Sequence, residues 1–234
     1  MAKSFDTWTV LPHKPIEKLA DNLWRVSGTM PNGKVQRQMA LARMPDGRLF
    51  VHNAIALAEP EMAEVEAWGT PSILFVPNGF HRQDAAIWKL RYPKMTVVAP
   101  AASRTRVEKV VRVDATTEES AATGPDLALR PLPGLPAESV LEVRSGDEVT
   151  LVFCDAIFNI RKRGGPAGLF LGPTGKVAIP RFARWYFIKD KRAFGAALET
   201  MAATPGLRRV LVAHGRPISD DPSAALRAAA AQIS

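Results

Sequence analysis

The sequence predicts a layered α/β sandwich, on three observations. Strand, helix and strand alternate through residues 48–100, and hairpin-like strands dominate both before that stretch and after it to Asp155. Sheets formed this way, each covered by helices on one side, stack into layers. At 234 residues and 47% hydrophobic content, the chain suits one domain or two small halves packed together, with a sizeable core. Residues 1–234 are therefore read as one domain, with a basic Gly/Pro-rich loop at about 161–192.

The elements follow in order. Thr7–Leu11 and Leu23–Val26 are strand candidates, with turns at Asp21-Asn22 and Ser27-Gly28. Gln38–Arg43 and Arg48–His52 flank Pro45-Asp46-Gly47, where Pro presets φ and Gly accepts a positive φ, so the stretch predicts a β-hairpin ending near His52. Glu59–Trp68 has acids early, apolar residues at helical spacing and Gly69 just after, which predicts a helix with both its start and stop signals. Ser72–Val76 is a buried strand ending at Pro77-Asn78-Gly79. His81–Tyr92 is a helix that Pro93 ends, and Thr96–Ala99 is another buried strand. Val107–Val113 is a further strand, before the polar loop Asp114–Pro125.

Leu151–Phe153 is a strand-forming apolar run that stops at a carboxylate, Asp155. An acid at the tip of a buried strand either holds out a ligand or catalytic group, or caps the turn that follows. Gly164–Pro180 reads as a long loop, of the kind that is functional or mobile. Phe182–Ile188 and Ala193–Ala203 look helical. Arg209–Ala213 is the last buried strand, with His214-Gly215 just past it, and Pro222–Ile233 is an Ala-rich terminal helix.

Composition narrows the function classes. The single cysteine, Cys154, excludes an internal disulfide and a multi-cysteine zinc site. It abuts Asp155, and strand alternation puts it on the opposite face as a buried structural thiol. No apolar run reaches the roughly 18–20 residues of a membrane helix, and residues 1–15 lack a signal peptide's apolar region. The expectation is a cytoplasmic protein with no membrane partner. Charge is concentrated: of 31 Lys/Arg and 23 Asp/Glu, nine and one fall between Arg161 and Arg192, leaving 22 of each elsewhere. The net +8 belongs to that one segment.

Aromatic residues Phe170, Phe182, Trp185, Tyr186 and Phe187 interleave with that basic segment. Such interleaving serves stacking and phosphate contacts in single-stranded nucleic-acid binding, although no known nucleic-acid module is present, which argues against that partner. The same charge would steer a small anionic substrate, through Arg161, Lys162, Arg163, Arg181 and Arg184. The plainer reading packs the aromatics inward and leaves a solvated basic face.

Several stretches resemble the metallo-β-lactamase superfamily. They are Asp21-Asn22-Leu23-Trp24-Arg25-Val26, the Pro133–Val140 segment PGLPAESV, Leu151–Phe158 (LVFCDAIF) and Val212-Ala213-His214-Gly215. The resemblance implies a four-layer αβ/βα sandwich whose strand ends converge on one or two metal ions, most often zinc or iron. The family's HxHxDH motif falls at Pro77–Asp84, where this chain has PNGFHRQD, one histidine in place of three. The histidine of the family's PGHTPGSV segment is Leu135 here, and His52 stands where an aspartate is expected. The sequence is also similar to a bacterial and plant branch of the superfamily with a degenerate metal motif and no reaction to carry over. The matching stretches are LFVHNAIAL, EMAEVEAWG, Pro77-Asn78-Gly79-Phe80-His81 and WKLRYPKMTVVAP.

The resemblance implies a hydrolase-like protein with an altered mono-metal or metal-free site and a small anionic substrate. His81, Asp155, His214 and His52 would be the ligands of one zinc or iron ion, with Asp155 and His214 catalytic. Without metal, the same four residues would be hydrogen-bonded polar groups of a relic pocket. Asn78 would support the site. Asp84, three residues after His81, would either orient its imidazole or serve as a first-turn helix acid. The alternative function is a non-catalytic protein that uses the 161–192 segment for an acidic partner.

Overall fold

The computed structural model describes residues 4–30, 36–120, 124–162, 164–165, 172 and 174–233. The chain divides into two compact units, Met1–Leu129 and Arg130–Ser234. Each is built around its own apolar core.

The first unit contains β1 (Glu17–Ala20), β2 (Leu23–Thr29), β3 (Gln36–Arg43), β4 (Arg48–His52), α1 (Glu59–Trp68), β5 (Thr70–Phe75), α2 (Ala85–Arg91), β6 (Thr96–Ala99) and β7 (Ala115–Thr116). Its sheet runs β1 to β7 in chain order. β1 to β4 are antiparallel meanders, and β4 to β7 pair parallel. The turn before β4 forms as its residues require, with Gly47 at φ +82° and its N–H bonded to the Met44 carbonyl. Helices cross from β4 to β5 and from β5 to β6, so these parallel strands end on one side. His52 closes β4, and the segment carrying Asn78 and His81 follows β5. In open α/β sheets, the carboxyl ends of the strands are where ligands bind.

Three sequence expectations change here. Thr7–Leu11 pairs with no strand. Instead Trp8 lies on the core as extended chain, donating its indole N–H to the Leu57 carbonyl at 2.9 Å, 5.7 Å from the Trp88 ring. Val107–Val113 is not a strand either. Val107 ends a helical turn, Arg104–Val107, and Val111, four residues on, is also buried, with its N–H bonded to the Val107 carbonyl. Spacing of four is a helical period, so both valines reach the core without a strand. Finally, helix α2 begins at Ala85, and His81 to Asp84 form the turns before it.

Asp84 stands at the cap position of α2 but makes no cap bond. Its carboxylate accepts from the Arg37 guanidinium of β3 and from the Ala56 N–H at 3.0 Å. Both side chains are almost wholly buried, and Arg37 Nε and Nη2 have no hydrogen-bond partner among the described residues. This ion pair ties β3, the segment after β4 and the start of α2 together.

The second unit holds β8 (Leu127–Pro131, across the boundary), β9 (Ser139–Ser145), β10 (Glu148–Val152) and β11 (Leu207–Leu211), ordered β11-β10-β9-β8. β9 and β10 form a hairpin through Gly146 at φ +62°, and β11 returns parallel to β10. Helices Lys191–Ala202 and Pro222–Ala230 are capped by Asp190 and Asp221, which accept from the N–H groups of Ala193 and Ala224. Phe182–Ile188, expected as an α-helix, is wound wider. The Ala183–Phe187 turn is a π-helix, and the Ile188 N–H reaches the Ala183 carbonyl five residues back.

Removing one member of the Arg37–Asp84 pair should strand a buried charge. Asp84→Ala should lower stability to urea by about 3–5 kcal/mol, and an Asp84→Leu, Arg37→Met double variant should recover most of it.

Candidate functional site

The second unit assembles its polar residues by prolonging a parallel strand pair. Past the ends of β10 and β11, the Phe153 N–H bonds the Leu211 carbonyl at 2.9 Å, and the Ala213 N–H bonds the Cys154 carbonyl at 3.3 Å. Two residues further along one strand is Asp155, and beyond the other is His214. They meet, with His214 Nε2 3.2 Å from Asp155 Oδ1 and both side chains little exposed (12% and 13%).

The turn past His214 is clamped by Asn159. Its N–H bonds the His214 carbonyl, its carbonyl accepts from the Arg216 N–H at 3.0 Å, and its amide donates to the Arg216 carbonyl at 2.9 Å. Gly215 sits at φ +115°, and a Cβ there would lie 2.2 Å from the Asn159 carbonyl oxygen, so only glycine fits. Phe158 meets the His214 ring edge-on, 5.1 Å between centroids.

Beneath the pair lies Glu138, a buried carboxylate that accepts from the Asp155 N–H at 3.1 Å and the Ala156 N–H at 2.9 Å. The turn after β10 is thus capped by Glu138 from another segment. Cys154 lies past the end of β10, so strand alternation does not apply to it, and its sulfur is within 4.8 Å of an Asp155 carboxylate oxygen. Burial pushes the thiol well up, and the charges of Asp155 and Glu138 add to that. It stays protonated, which agrees with a structural thiol.

The first unit holds a second group. His52 is buried, with no hydrogen-bond partner at Nε2 among the described residues. Burial, and then the charge of His81, pushes its imidazole down to about 3. Asn53 follows in the left-handed region at φ +57°, a conformation that Asn tolerates and that few other side chains do. Its amide nitrogen donates to the Gln38 carbonyl at 2.6 Å, so its oxygen faces His81 Nδ1 at 3.1 Å as an acceptor. That places a proton on His81 Nδ1. Asn78 accepts from the N–H groups of Phe80 and His81 at 2.8 and 3.1 Å, shaping the turn that carries the imidazole. Asp84 does neither job expected of it, because Arg37 and Ala56 take its carboxylate.

Of the four histidine and aspartate positions singled out in the sequence, Asp155 and His214 come together in the second unit, and His52 and His81 belong to the first. Leu135 is a core residue of the second unit. Arg161 and Lys162 are exposed, Arg181 and Arg184 are half-buried, and Arg163 lies outside the described residues. Trp185 and Tyr186 are 65% and 66% exposed, against the reading that packs all the aromatics inward, while Phe182 and Phe187 do pack on the core. Sequence reasoning missed Glu138, Asn159 and Asn53. Asn53 carried a signal, being an Asn directly after a strand end. Carboxylate, imidazole and thiol are donor types of zinc and iron sites, and groups of this kind could bind a metal.

No family model and no curated protein matches the sequence. Solved structures do match in shape. The chain is similar to the DIM-1 metallo-β-lactamase exposed to ceftazidime, at 14% identity and a TM-score of 0.66, covering 97% of this chain and all of that one. A second DIM-1 metallo-β-lactamase structure aligns at 12% identity and a TM-score of 0.65, covering 95% of this chain and all of that one. A metallo-β-lactamase from Hirschia baltica aligns at 14% identity and a TM-score of 0.57, covering 92% and 97%. The chain has the metallo-β-lactamase fold, a mixed α/β structure with two sheets and helices. No helix among the described residues is long and apolar enough to cross a membrane.

The depressed imidazole of His52 makes stability depend on pH. The folded state binds this proton less readily than the unfolded chain, whose value is near 6.5. The contribution is complete above about pH 6.5 and is lost as pH falls toward 3, at about 1.4 kcal/mol per unit. Between pH 6.5 and 4.5, urea unfolding should show wild type losing about 2–3 kcal/mol more than His52→Gln.

Proposed function

We propose that this chain is a hydrolase-like protein whose working pair is Asp155 and His214, acting on a small anionic substrate at an altered site with at most one metal ion. The observation that carries this is the 3.2 Å approach of His214 Nε2 to Asp155 Oδ1 at the ends of two adjacent parallel strands. The fold supports it as one that metallo-β-lactamases use.

With Nε2–H donating to the carboxylate, Asp155 fixes the orientation of the imidazole. The imidazole serves as the base for an attacking water, and Asp155 stabilises the imidazolium that results. Glu138 fixes the backbone of Asp155 and Ala156, so the carboxylate is positioned before substrate arrives. A bound zinc or iron ion would count Asp155 and His214 among its donors and would supply Lewis-acid polarisation of water or substrate. The preference for an anion follows from the basic segment, where Arg161, Lys162, Arg181 and Arg184 raise the local concentration of negative ligands.

Two measurements test this. Elemental analysis of protein purified without chelator should find no more than one equivalent of metal, and less in an Asp155→Ala, His214→Ala double variant. In a screen of esters, lactones and phosphodiesters, Asp155→Asn and His214→Ala should each lower turnover by about a hundredfold or more with the circular dichroism spectrum unchanged. Turnover that survives both substitutions would remove the pair from the reaction.

A further inference from the structure

The wide turn Ala183–Phe187 presents two aromatic rings that the hydrolytic reading does not use. Trp185 and Tyr186, adjacent in that turn, are 65% and 66% exposed, and they are the only large apolar side chains so exposed among the described residues of the second unit. Their neighbours Phe182 and Phe187 pack against the core and against each other, 5.9 Å between centroids, which anchors the turn from below. Basic residues frame it. Arg181 and Arg184 lie within the same winding, and Lys189 donates to the Tyr186 carbonyl at 3.2 Å. Lys191 and Arg192 stand exposed at the start of the next helix. The acid in this stretch, Asp190, is engaged in capping that helix. Nε of Arg184 is buried without a hydrogen-bond partner among the described residues.

We infer that this turn is a stacking platform for single-stranded nucleic acid. Two exposed aromatic faces bracketed by cations meet the two needs of such a ligand, flat bases to stack and phosphates to neutralise. An acidic peptide would satisfy the cations and leave the rings in water. A lipid surface needs a broader apolar patch, and the flanking Phe182 and Phe187 are turned into the core.

The test uses the full chain with fluorescein-labelled oligothymidine and oligouridine of about 20 nucleotides, read by fluorescence anisotropy. Binding should weaken as KCl rises from about 50 to 200 mM, with a log–log slope no steeper than about −3.5 for five basic side chains. Trp185→Ala, Tyr186→Ala should weaken binding by about tenfold or more, while Trp185→Phe, Tyr186→Phe should retain most of it. Both variants should keep the wild-type circular dichroism spectrum, because the rings lie outside the core. Equal affinity in the alanine variant, equal competition by heparin, or binding only to phosphatidylserine vesicles would each overturn the inference.

Discussion

A buried carboxylate that serves the main chain underlies the second unit. β10 ends at Val152, and the chain must then turn inside the protein, where free N–H groups are costly. Glu138 takes the N–H groups of both Asp155 and Ala156, so the turn needs no further strand. Burying an anion is tolerable when it is hydrogen-bonded on this scale. Everything about the candidate pair follows from that turn. It sets where Asp155 projects, and the parallel register with β11 brings His214 opposite it.

The first unit solves the same problem with different chemistry. After β4 the chain leaves the sheet through Asn53, whose left-handed backbone and two side-chain bonds replace a strand's hydrogen bonds. The Arg37–Asp84 pair then holds Ala56 and the approach to α2 in place. A hydrophobic substitute at such a pair is often no less stable. Its retention here coincides with the segment that orients His81. In both units, then, polar groups are buried at strand ends to shape a turn that carries an imidazole.

Legibility in the sequence followed the physics of each element. The Pro-Asp-Gly hairpin, α1 and the strand Thr96–Ala99 were readable because their signals are local. Val107–Val113 misled because a run of valines favours a strand by composition, while their spacing of four buried them on a helical turn instead. Trp8 misled because an apolar residue in extended chain has no need of a strand partner when its indole finds a carbonyl. Asp155 and His214 were visible as strand-end groups. Glu138 was not, because its role depends on contact with residues 17 and 18 positions away. Asp84 was visible but misassigned, since its partner Arg37 lies 47 residues earlier.

The protonation states within the second unit bear on what its pair can do. Cys154, Asp155 and Glu138 crowd one turn, and the thiol answers by holding its proton, so negative charge there rests on the carboxylates alone. Asp155 places one oxygen on His214 Nε2, which orients the imidazole as a hydrogen-bonded carboxylate does in general base sites. Glu138 spends its oxygens on the backbone and so acts on position. Two carboxylates beside one thiol therefore divide the work by environment. One faces main-chain N–H groups and fixes geometry, and the other faces an imidazole and sets its tautomer. That division is what a site needs if a single imidazole is to move a proton without the turn beneath it shifting.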